Sequence, residues 1–465
     1  MAIGLSDEQV VQATGAARAR AGDRRMFEGV CTDSRRIEPG CLFVALEGEK
    51  FDAHDFVAQA VEAGAAGLVV KQGKRLALEA PCAVFEVDDT LRALGALARF
   101  HRQRFAIPVG AVTGSNGKTT TKELVAAILG VRGPVLKTHG NLNNEVGVPL
   151  TLFGLEPRHV AAVIEMGMNH PGEIARLTDL ARPDAGLITV VQPAHLEGCG
   201  SIEGVASAKG ELFHGLAPGA TAVVNVDDAR VAAQARGLSA KTLTFGRAAE
   251  AEVRLSRVEP HGRDGLSLVI TFRGVEHPVA TRLVGDHNAL NATGAFALAV
   301  ALGYTPEECV RGLEAAQAHA RRLQIIDAPR GVTVVDDCYN ANPASMTAAL
   351  ETLTQLSVAG RAVAVLGDML ELGAGEEAEH RTMGVVASDR AALVAFVGPR
   401  MQLAHREARK KLGDRAAHFD DVPALLAWLS PQLAEGDVVL VKASRGMRLE
   451  RVVEALTGHA GQGGH

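Results

Sequence analysis

IPVGAVTGSNGKTTTKELVAAIL, residues 107–129, is the stretch on which the rest of the chain turns. Its apolar, β-prone opening (Ile107, Val109, Val112) meets a glycine-bearing turn over Thr113–Gly117, and Leu124, Val125, Ile128 and Leu129 then recur on one helical face. That pattern predicts strand, tight loop and helix, in that order. Gly114 and Gly117 let backbone N–H groups close around an anion at the helix N-terminus, where the helix dipole also favours negative charge. Lys118 adds a point charge for β- and γ-phosphates, and Thr119 offers a hydroxyl to Mg²⁺. Thr113, Gly114, Ser115, Asn116, Gly117, Lys118, Thr119 and Thr120 together form the candidate nucleotide-triphosphate loop. The strict G-x-x-x-x-G-K-[ST] pattern needs glycine at position 112, where this chain has Val112. A glycine-rich turn with a chance Lys-Thr is the plain alternative, and the order of strand, loop, lysine, hydroxyl and helix argues against it.

Around this loop lie 465 residues, too many for one ordinary core and suggestive of about three domains. A 47% hydrophobic, 22% charged composition is that of a soluble globular protein, and a net charge of -6 gives no reason to expect nucleic acid. The six cysteines contain no C-x-x-C pair, so they read as reduced thiols of a cytoplasmic protein, not as a disulfide frame or zinc site. No long apolar run marks a signal peptide or membrane span, and the glycine- and histidine-rich end at 458–465 is expected to fray.

Residues 1–86 read as a small α/β module of short strands and loops with one clear helix. Its polar centre runs through Thr32, Asp33, Ser34 and Arg35, the strand Cys41–Leu46, and then Asp52 to His54. Hydroxyls, an arginine and a turn at a strand end suit a diphosphate or uridine group, although DSRRIEPG taken alone is better read as a polar turn. An amphipathic helix over Thr90–Phe105 leads into a second domain, 87–318. There strands and helices alternate, which predicts a mostly parallel sheet with ligands at the carboxyl ends of its strands. The polar clusters follow strands as that rule requires: Thr138–Glu145 with Asn143 and Asn144, Glu165 with the run to Glu173, and His195 after Gly186–Val191. Glu165 is placed to hold a metal opposite a triphosphate, or to cap the next turn. His195 and Lys209, the latter on a helix expected over 198–213, carry little weight as residues alone. Antiparallel strands are expected over 251–281, with turns at His261-Gly262 and Asp264-Gly265. His287, Asn288 and Asn291 then open an alanine-rich helix, as caps or as partners of a base edge.

After a linker at 319–324, the third domain, 319–465, shows β-like runs at 331–336, 361–366, 392–397, 416–419 and 437–442 between helical ones, a doubly wound α/β pattern without a dinucleotide fingerprint. Asp337, Asn340 and Asn342 follow its first run, and Lys442, Ser444 and Arg445 its last, where Lys442 and Arg445 could hold a carboxylate or simply form a charged turn.

Taken together, TGSNGKTT, GNLNNEVGVPLTL, EMGMNHPGE, AHLE, SAKGE, HNALNA, DDCYNANPAS, GDMLELG and KASRG occur in an order that resembles the Mur ligase family over almost the whole chain. The wording of DDCYNANPAS and EMGMNHPGE resembles the branch that adds D-alanyl-D-alanine to UDP-N-acetylmuramoyl-tripeptide. The resemblance implies an N-terminal UDP-binding domain, a central P-loop-type ATPase domain and a C-terminal Rossmann-like domain, acting as a cytoplasmic monomer in peptidoglycan precursor synthesis with ATP and two Mg²⁺. It implies that Lys118 and Thr119 serve the ATP phosphates and one Mg²⁺, that Glu165 and His195 hold a second, and that Lys209 matches a lysine carbamylated in the family. His287, Asn288 and Asn291 match an adenine-side motif; Arg322, Asp337, Asn340 and Asn342 match ADP contact and closure. Ser34, Arg35, Leu46, Asp52 and His54 match the uridine region, and Asn143, Asn144, Lys442, Ser444 and Arg445 substrate positions. Arg321, Ala53 and Ala443 depart from the family wording, standing where glycine is common. Two rivals remain: a ligase adding the third amino acid, whose D-N-P-R run is absent here, and an NTP-driven switch, which leaves the later polar strand ends unexplained.

Overall fold

The structure, a computed structural model, describes residues 3–23, 26–48, 51–74, 82–317 and 319–458, so all but the first residue of the expected C-terminal fray lies outside the described residues. The chain packs as two compact units. One comprises Met1–Ala111, Gly133–Gly167 and Glu173–Pro183; the other comprises Val112–Arg132, Met168–Gly172 and Asp184–His465. The strand Val109–Thr113 begins in the first and ends in the second.

In the first unit a five-stranded sheet runs, in spatial order, Ala17–Arg20, Ala83–Val87, Gly67–Lys71, Leu42–Val44, Val30–Cys31. Only Ala17–Arg20 is antiparallel to its neighbour. Phe43, Leu68, Val70 and Val84 bury one face against Val57 and Ala60 of the helix Val57–Glu62. The expected helix after this sheet is Thr90–Arg102; Asp89 caps it by accepting from Leu91 N and Arg92 N, and Leu94, Leu97 and Ala98 are buried. Such a cap contributes about 1 kcal/mol. Farther on, Val135–Lys137 and Ala161–Glu165 pair in parallel, and Glu165 ends the second, a fully buried strand.

In the second unit Ala185–Ile188, Thr221–Asn225, Lys241–Gly246 and Val253–Pro260 pair in parallel; Leu266–Phe272 and Val275–Thr281 then extend the sheet antiparallel, the expected turn signals at 261–265 both falling in the connection before Leu266. The single helix expected over 198–213 is two helices, Leu196–Cys199 and Ile202–His214, because Ser201 caps the second by accepting from Gly204 N. The six-stranded C-terminal sheet is ordered Gln324–Ala328, Val332–Asp336, Val438–Lys442, Ala362–Gly367, Leu393–Val397, Ala416–Phe419. Successive residues alternate between two cores. Val334, Val363, Val365 and Val439 face Leu425 and Val452, while Val335, Ala364, Leu366 and Leu440 face Met346, Leu350 and Met383. Burial on both faces explains the unbroken apolar runs in these strands. The last residue of the expected linker, Gln324, instead opens the antiparallel edge strand Gln324–Ala328. Its half-buried residues lack the continuous apolar run of the central strands.

Candidate active site

Val112 is fully buried in the strand Val109–Thr113, so the position lacking glycine belongs to the core and the loop proper starts at Gly114. At Gly114 φ is +148°, and a Cβ there would lie 1.8 Å from Thr189 Oγ1; at Gly117 φ is +80°, and a Cβ would lie 2.4 Å from Asn291 Oδ1. Neither position accepts a larger residue without rebuilding its neighbour. Gly117 precedes the helix Lys118–Leu129 with no side-chain cap, which leaves the first-turn N–H groups to an anion. Lys118 Nζ donates to Gly114 O at 2.8 Å, holding the ammonium over the loop. Ser115 Oγ donates to Gln192 O and accepts from Gln192 N, each at 2.9 Å.

A second polar loop meets this one. Asn116 and Asn342 exchange amide hydrogen bonds at 3.1 and 2.9 Å, and Arg322 donates to Thr119 Oγ1 at 3.2 Å while its guanidinium lies 4.2 Å from the Tyr339 ring centre. Buried Arg322 Nε has no hydrogen-bond partner among the described residues, as fits a donor whose acceptor is a ligand. Ser115–Thr119, Arg322 and Asn340–Asn342 line one small cavity, and a neighbouring one of about 210 Å³ is lined by Gly117, His287, Asn288, Asn291 and Arg322. The expected capping by Asn288 is not seen: Asn288 Nδ2 donates to Val284 O, and Gly285 is the N-cap. Lys442, buried at the end of the central strand, donates to Asp337 Oδ2 at 2.6 Å and Asn340 O at 3.0 Å. Its charge is thus already paired with Asp337. Ser444 Oγ donates to Ala341 O, and the Arg445 guanidinium also lies over Tyr339, 5.5 Å from the ring centre. Lys442, Ser444 and Arg445 therefore surround the 337–342 loop.

Elsewhere in the second unit Lys209 is 1% exposed, and burial, with the Lys118 charge, pushes its amine well below the ordinary lysine range. Burial, with the Lys118 charge, likewise pushes His195 down to about 4, leaving a neutral imidazole near pH 7. His195 sits in the left-handed region at φ 55°, 3.4 Å from Glu371 through Nδ1. In the first unit Glu165 is 2% exposed; its Oε1 accepts from Asn143 Nδ2 at 2.8 Å, and its Oε2 is buried with no partner among the described residues. An orphaned carboxylate oxygen in that position fits a hard cation. Asn144 instead accepts from Val146 N and Gly147 N, shaping the start of the helix Gly147–Leu152.

The N-terminal candidates follow the carboxyl ends of two neighbouring parallel strands. Asp33 accepts from Arg35 N, and Arg35 Nε and Nη2 reach its two oxygens at 2.8 Å each, leaving Arg35 exposed. Asp52 caps the turn Ala53–Phe56, accepts from His54 Nδ1 at 2.6 Å and from Lys74 Nζ, while His54 Nε2 accepts from Lys71 N at 2.9 Å. Leu46 O accepts from Ala53 N at 2.9 Å.

Gln192, Tyr339, Lys74 and Asp33 were not singled out from sequence as site residues. Gln192 and Tyr339 stand in the polar runs after Gly186–Val191 and Val332–Asp336, which was the available signal; Lys74 carried none. Of the departures from glycine, Ala53 and Ala443 do not have positive φ, so neither backbone needs glycine, whereas Arg321 lies at φ 62°.

Fold and site define a class: an α/β protein of three successive domains with a phosphate-type loop answered by a second polar loop from a doubly wound domain. Residues 27–102 match the catalytic domain of the Mur ligase family, 112–299 the Mur ligase middle domain and 321–445 the Mur ligase glutamate ligase domain. The UDP-N-acetylmuramoyl-tripeptide--D-alanyl-D-alanine ligase of Escherichia coli (strain K12) is 42% identical, over 92% of this chain and 94% of its own. A MurF crystal structure from Acinetobacter baumannii superposes with a TM-score of 0.88 at 33% identity, covering 98% and 99% of the two chains. MurF ligase from Thermotoga maritima in complex with ADP gives 0.82 at 29% identity, covering 92% and 96%. The chain belongs to the Mur ligase family.

Proposed function

We propose that this chain is the ATP-dependent ligase that joins D-alanyl-D-alanine to UDP-N-acetylmuramoyl-tripeptide, a cytoplasmic step of peptidoglycan precursor synthesis. The observation that carries the reading is the cavity in which the uncapped phosphate loop faces the unpartnered Arg322 Nε, in a chain whose likeness to ligases of that name extends over nine-tenths of its length.

The terminal carboxylate of the tripeptide attacks the γ-phosphorus of ATP; a P–O bond forms, the bond to ADP breaks, and an acyl phosphate results. The amine of D-alanyl-D-alanine then attacks the acyl carbon, loses its proton, and expels phosphate. Two anions meet in the first step, so the groups that matter are those that oppose charge: Lys118, the N–H groups of the loop, and Arg322. Thr119, Glu165, His195 and Lys209 are the residues we assign to Mg²⁺, which when bound would neutralise charge on the transferring phosphoryl group. The orphan oxygen of Glu165 and the neutral imidazole of His195 support their part. Lowered basicity favours the free amine that takes up CO₂, and a carbamate at Lys209 would present oxygen, which Mg²⁺ prefers. Arg322, His287, Asn288 and Asn291 are assigned to ADP and adenine, Asp337, Asn340 and Asn342 to closure, and Ser34, Arg35, Leu46, Asp52 and His54 to the uridine nucleotide.

The test is ADP release measured with each UDP-muramoyl-peptide and amine pair. Release requiring both the tripeptide acceptor and D-alanyl-D-alanine is expected. Turnover with L-lysine or meso-diaminopimelate on the shorter acceptor, or ATP hydrolysis needing neither partner, overturns the assignment.

A further inference from the structure

Glu371 is the projecting residue of a loop that is otherwise tied down. The loop leaves the carboxyl end of the strand Ala362–Gly367. Asp368 Oδ1 accepts from Met401 N at 2.9 Å, and Met369 N donates at 3.1 Å to Nε2 of the fully buried His380, whose Nδ1 donates to Glu376 O. Leu370 N donates to Ser444 Oγ at 2.9 Å, and Leu372 is buried in the core that holds Met346 and Met383. Glu371, between these anchors, is left-handed at φ 64° with its side chain 67% exposed. A non-glycine residue keeps that conformation only where its surroundings over-determine it, and such positions cluster at ligand sites. Its carboxylate lies 3.4 Å from Nδ1 of His195, which is left-handed as well. His195 comes three residues after Gln192, and Gln192 is bonded to Ser115 and Asn116 of the phosphate loop. The neighbouring strand supplies the opposite charge. Val438–Lys442 runs parallel to Ala362–Gly367, and Ser444, which holds Leu370, is followed by exposed Arg445. Two adjacent strand ends thus present a carboxylate and a guanidinium, at the end of a doubly wound sheet where ligands bind. Nearby carboxylates are engaged, Asp337 by Lys442 and Asp368 by Met401 N, whereas among the described residues the one ion-pair partner of Glu371 is His195.

We propose that Glu371 receives the amino group of the incoming D-alanyl-D-alanine and Arg445 its carboxylate, so that the pair selects a zwitterionic dipeptide and holds its nitrogen on the His195 side of the loop. The identity of the dipeptide rests on the functional reading given above. Phosphoryl transfer collects cationic groups, Lys118 and Arg322 among them, and these repel an arriving ammonium; an exposed carboxylate at their margin offsets that repulsion. A carboxylate accepts N–H from an ammonium and from a free amine alike, so one contact holds the nucleophile before and after its proton leaves. The guanidinium of Arg445 offers forked donors that match a carboxylate. Fixing both ends of a short dipeptide orients its nitrogen, which a single contact would leave free to turn.

The full-length protein is assayed for ADP release with ATP, UDP-N-acetylmuramoyl-tripeptide and D-alanyl-D-alanine varied in turn, and with the C-terminal amide of the dipeptide in its place. Glu371→Gln should raise the KM for D-alanyl-D-alanine about tenfold or more and leave the KM values for ATP and the acceptor within about twofold, with Glu371→Asp intermediate. Arg445→Gln should raise the KM for the dipeptide and not that for its amide, erasing a wild-type preference for the free carboxylate. Glu371→Gly relieves the left-handed strain and removes the carboxylate together. It should show the same rise in amine KM with a thermal midpoint no more than about 2 °C below wild type, a combination that a purely structural glutamate would not give. An amine KM unmoved in Glu371→Gln, three KM values that rise together, or a wild-type chain that takes the amide as readily as the dipeptide overturns the proposal. Wild-type ADP release that ignores D-alanyl-D-alanine would instead sink the functional reading, and the inference with it.

Discussion

At the phosphate loop, Asn116 trades amide hydrogen bonds with Asn342, 226 residues away in sequence, and Thr119 accepts one from Arg322, 203 residues away. In the N-terminal segment Asp33 is paired with Arg35 and Asp52 with His54, each two residues on. Both regions are polar turns at strand ends, yet one is shaped by distant chain and the other mainly by its own neighbours. A loop whose geometry depends on a partner far away in sequence can register whether that partner is in place. A turn closed by its own side chains arrives preformed and simply presents a surface. Lys74 and Lys71 are the exceptions on the local side, Lys74 reaching Asp52 from 22 residues away and Lys71 N reaching His54 from 17.

The sharpest way to break this comparison is at Lys118, whose charge no neighbour can replace. Lys118→Ala should lower kcat for ADP release by roughly several hundredfold, the loss typical of one preorganised electrostatic group. A loss below tenfold would mean that the loop binds phosphate without stabilising its transfer. Next in size is the amide pair. Asn116→Ala and Asn342→Ala should each raise the KM for ATP about tenfold, and a double-mutant cycle should return a coupling of about 1 kcal/mol. Additive effects would mean that the two loops do not sense one another. The matched cycle on Asp33 and Arg35, read on stability, should return a smaller coupling than the amide pair because Arg35 is exposed to solvent.

Smaller again is an effect of pH at the local site. Burial raises Asp52, but hydrogen bonds from Lys74 and His54 outweigh it and hold the carboxyl well below its usual range. A group depressed in the folded state stabilises above its unfolded value, near 3.8 here, and that contribution is lost as pH falls through its folded value. The gap in urea midpoint between the wild-type chain and Asp52→Asn should therefore be full at pH 7 and narrow below pH 4. A gap that is constant with pH would assign the loss to geometry, not charge.

These differences also decide what could be read from sequence. Strand, loop and helix at 107–129 are local, so hydrophobic period, glycine spacing and a lysine sufficed; so did the turns at His261-Gly262 and Asp264-Gly265. The pairing of Lys442 with Asp337 was not legible, since no rule of spacing brings together residues 105 positions apart, and Lys442 looked like a free cation for a carboxylate. Nor was the stacking of Arg322 on Tyr339. Gln324–Ala328 was missed for another reason: an edge strand is half-buried, and its weak alternation is outweighed by the polar run before it. Glu165 was legible as a carboxylate at a strand end. That one of its oxygens is orphaned required coordinates.

The smallest effect is expected at Arg321, where the family wording has glycine. At φ 62° a non-glycine residue bears about 1–2 kcal/mol of steric cost. Replacing it with glycine relieves that cost but returns roughly 0.5–1 kcal/mol as backbone entropy of the unfolded chain. Arg321 Nη1 also lies 3.6 Å from Glu450, a partly exposed ion pair worth at most about 1 kcal/mol. The terms nearly cancel, so Arg321→Gly alone should move the thermal midpoint by no more than about 2 °C. In a Glu450→Gln background the ion-pair loss has already been taken, and the same substitution should then be stabilising. Destabilisation in both backgrounds would show that Arg321 is held by packing beyond this ion pair, and that the left-handed turn before Arg322 is shaped by long-range contact, like the loop it serves.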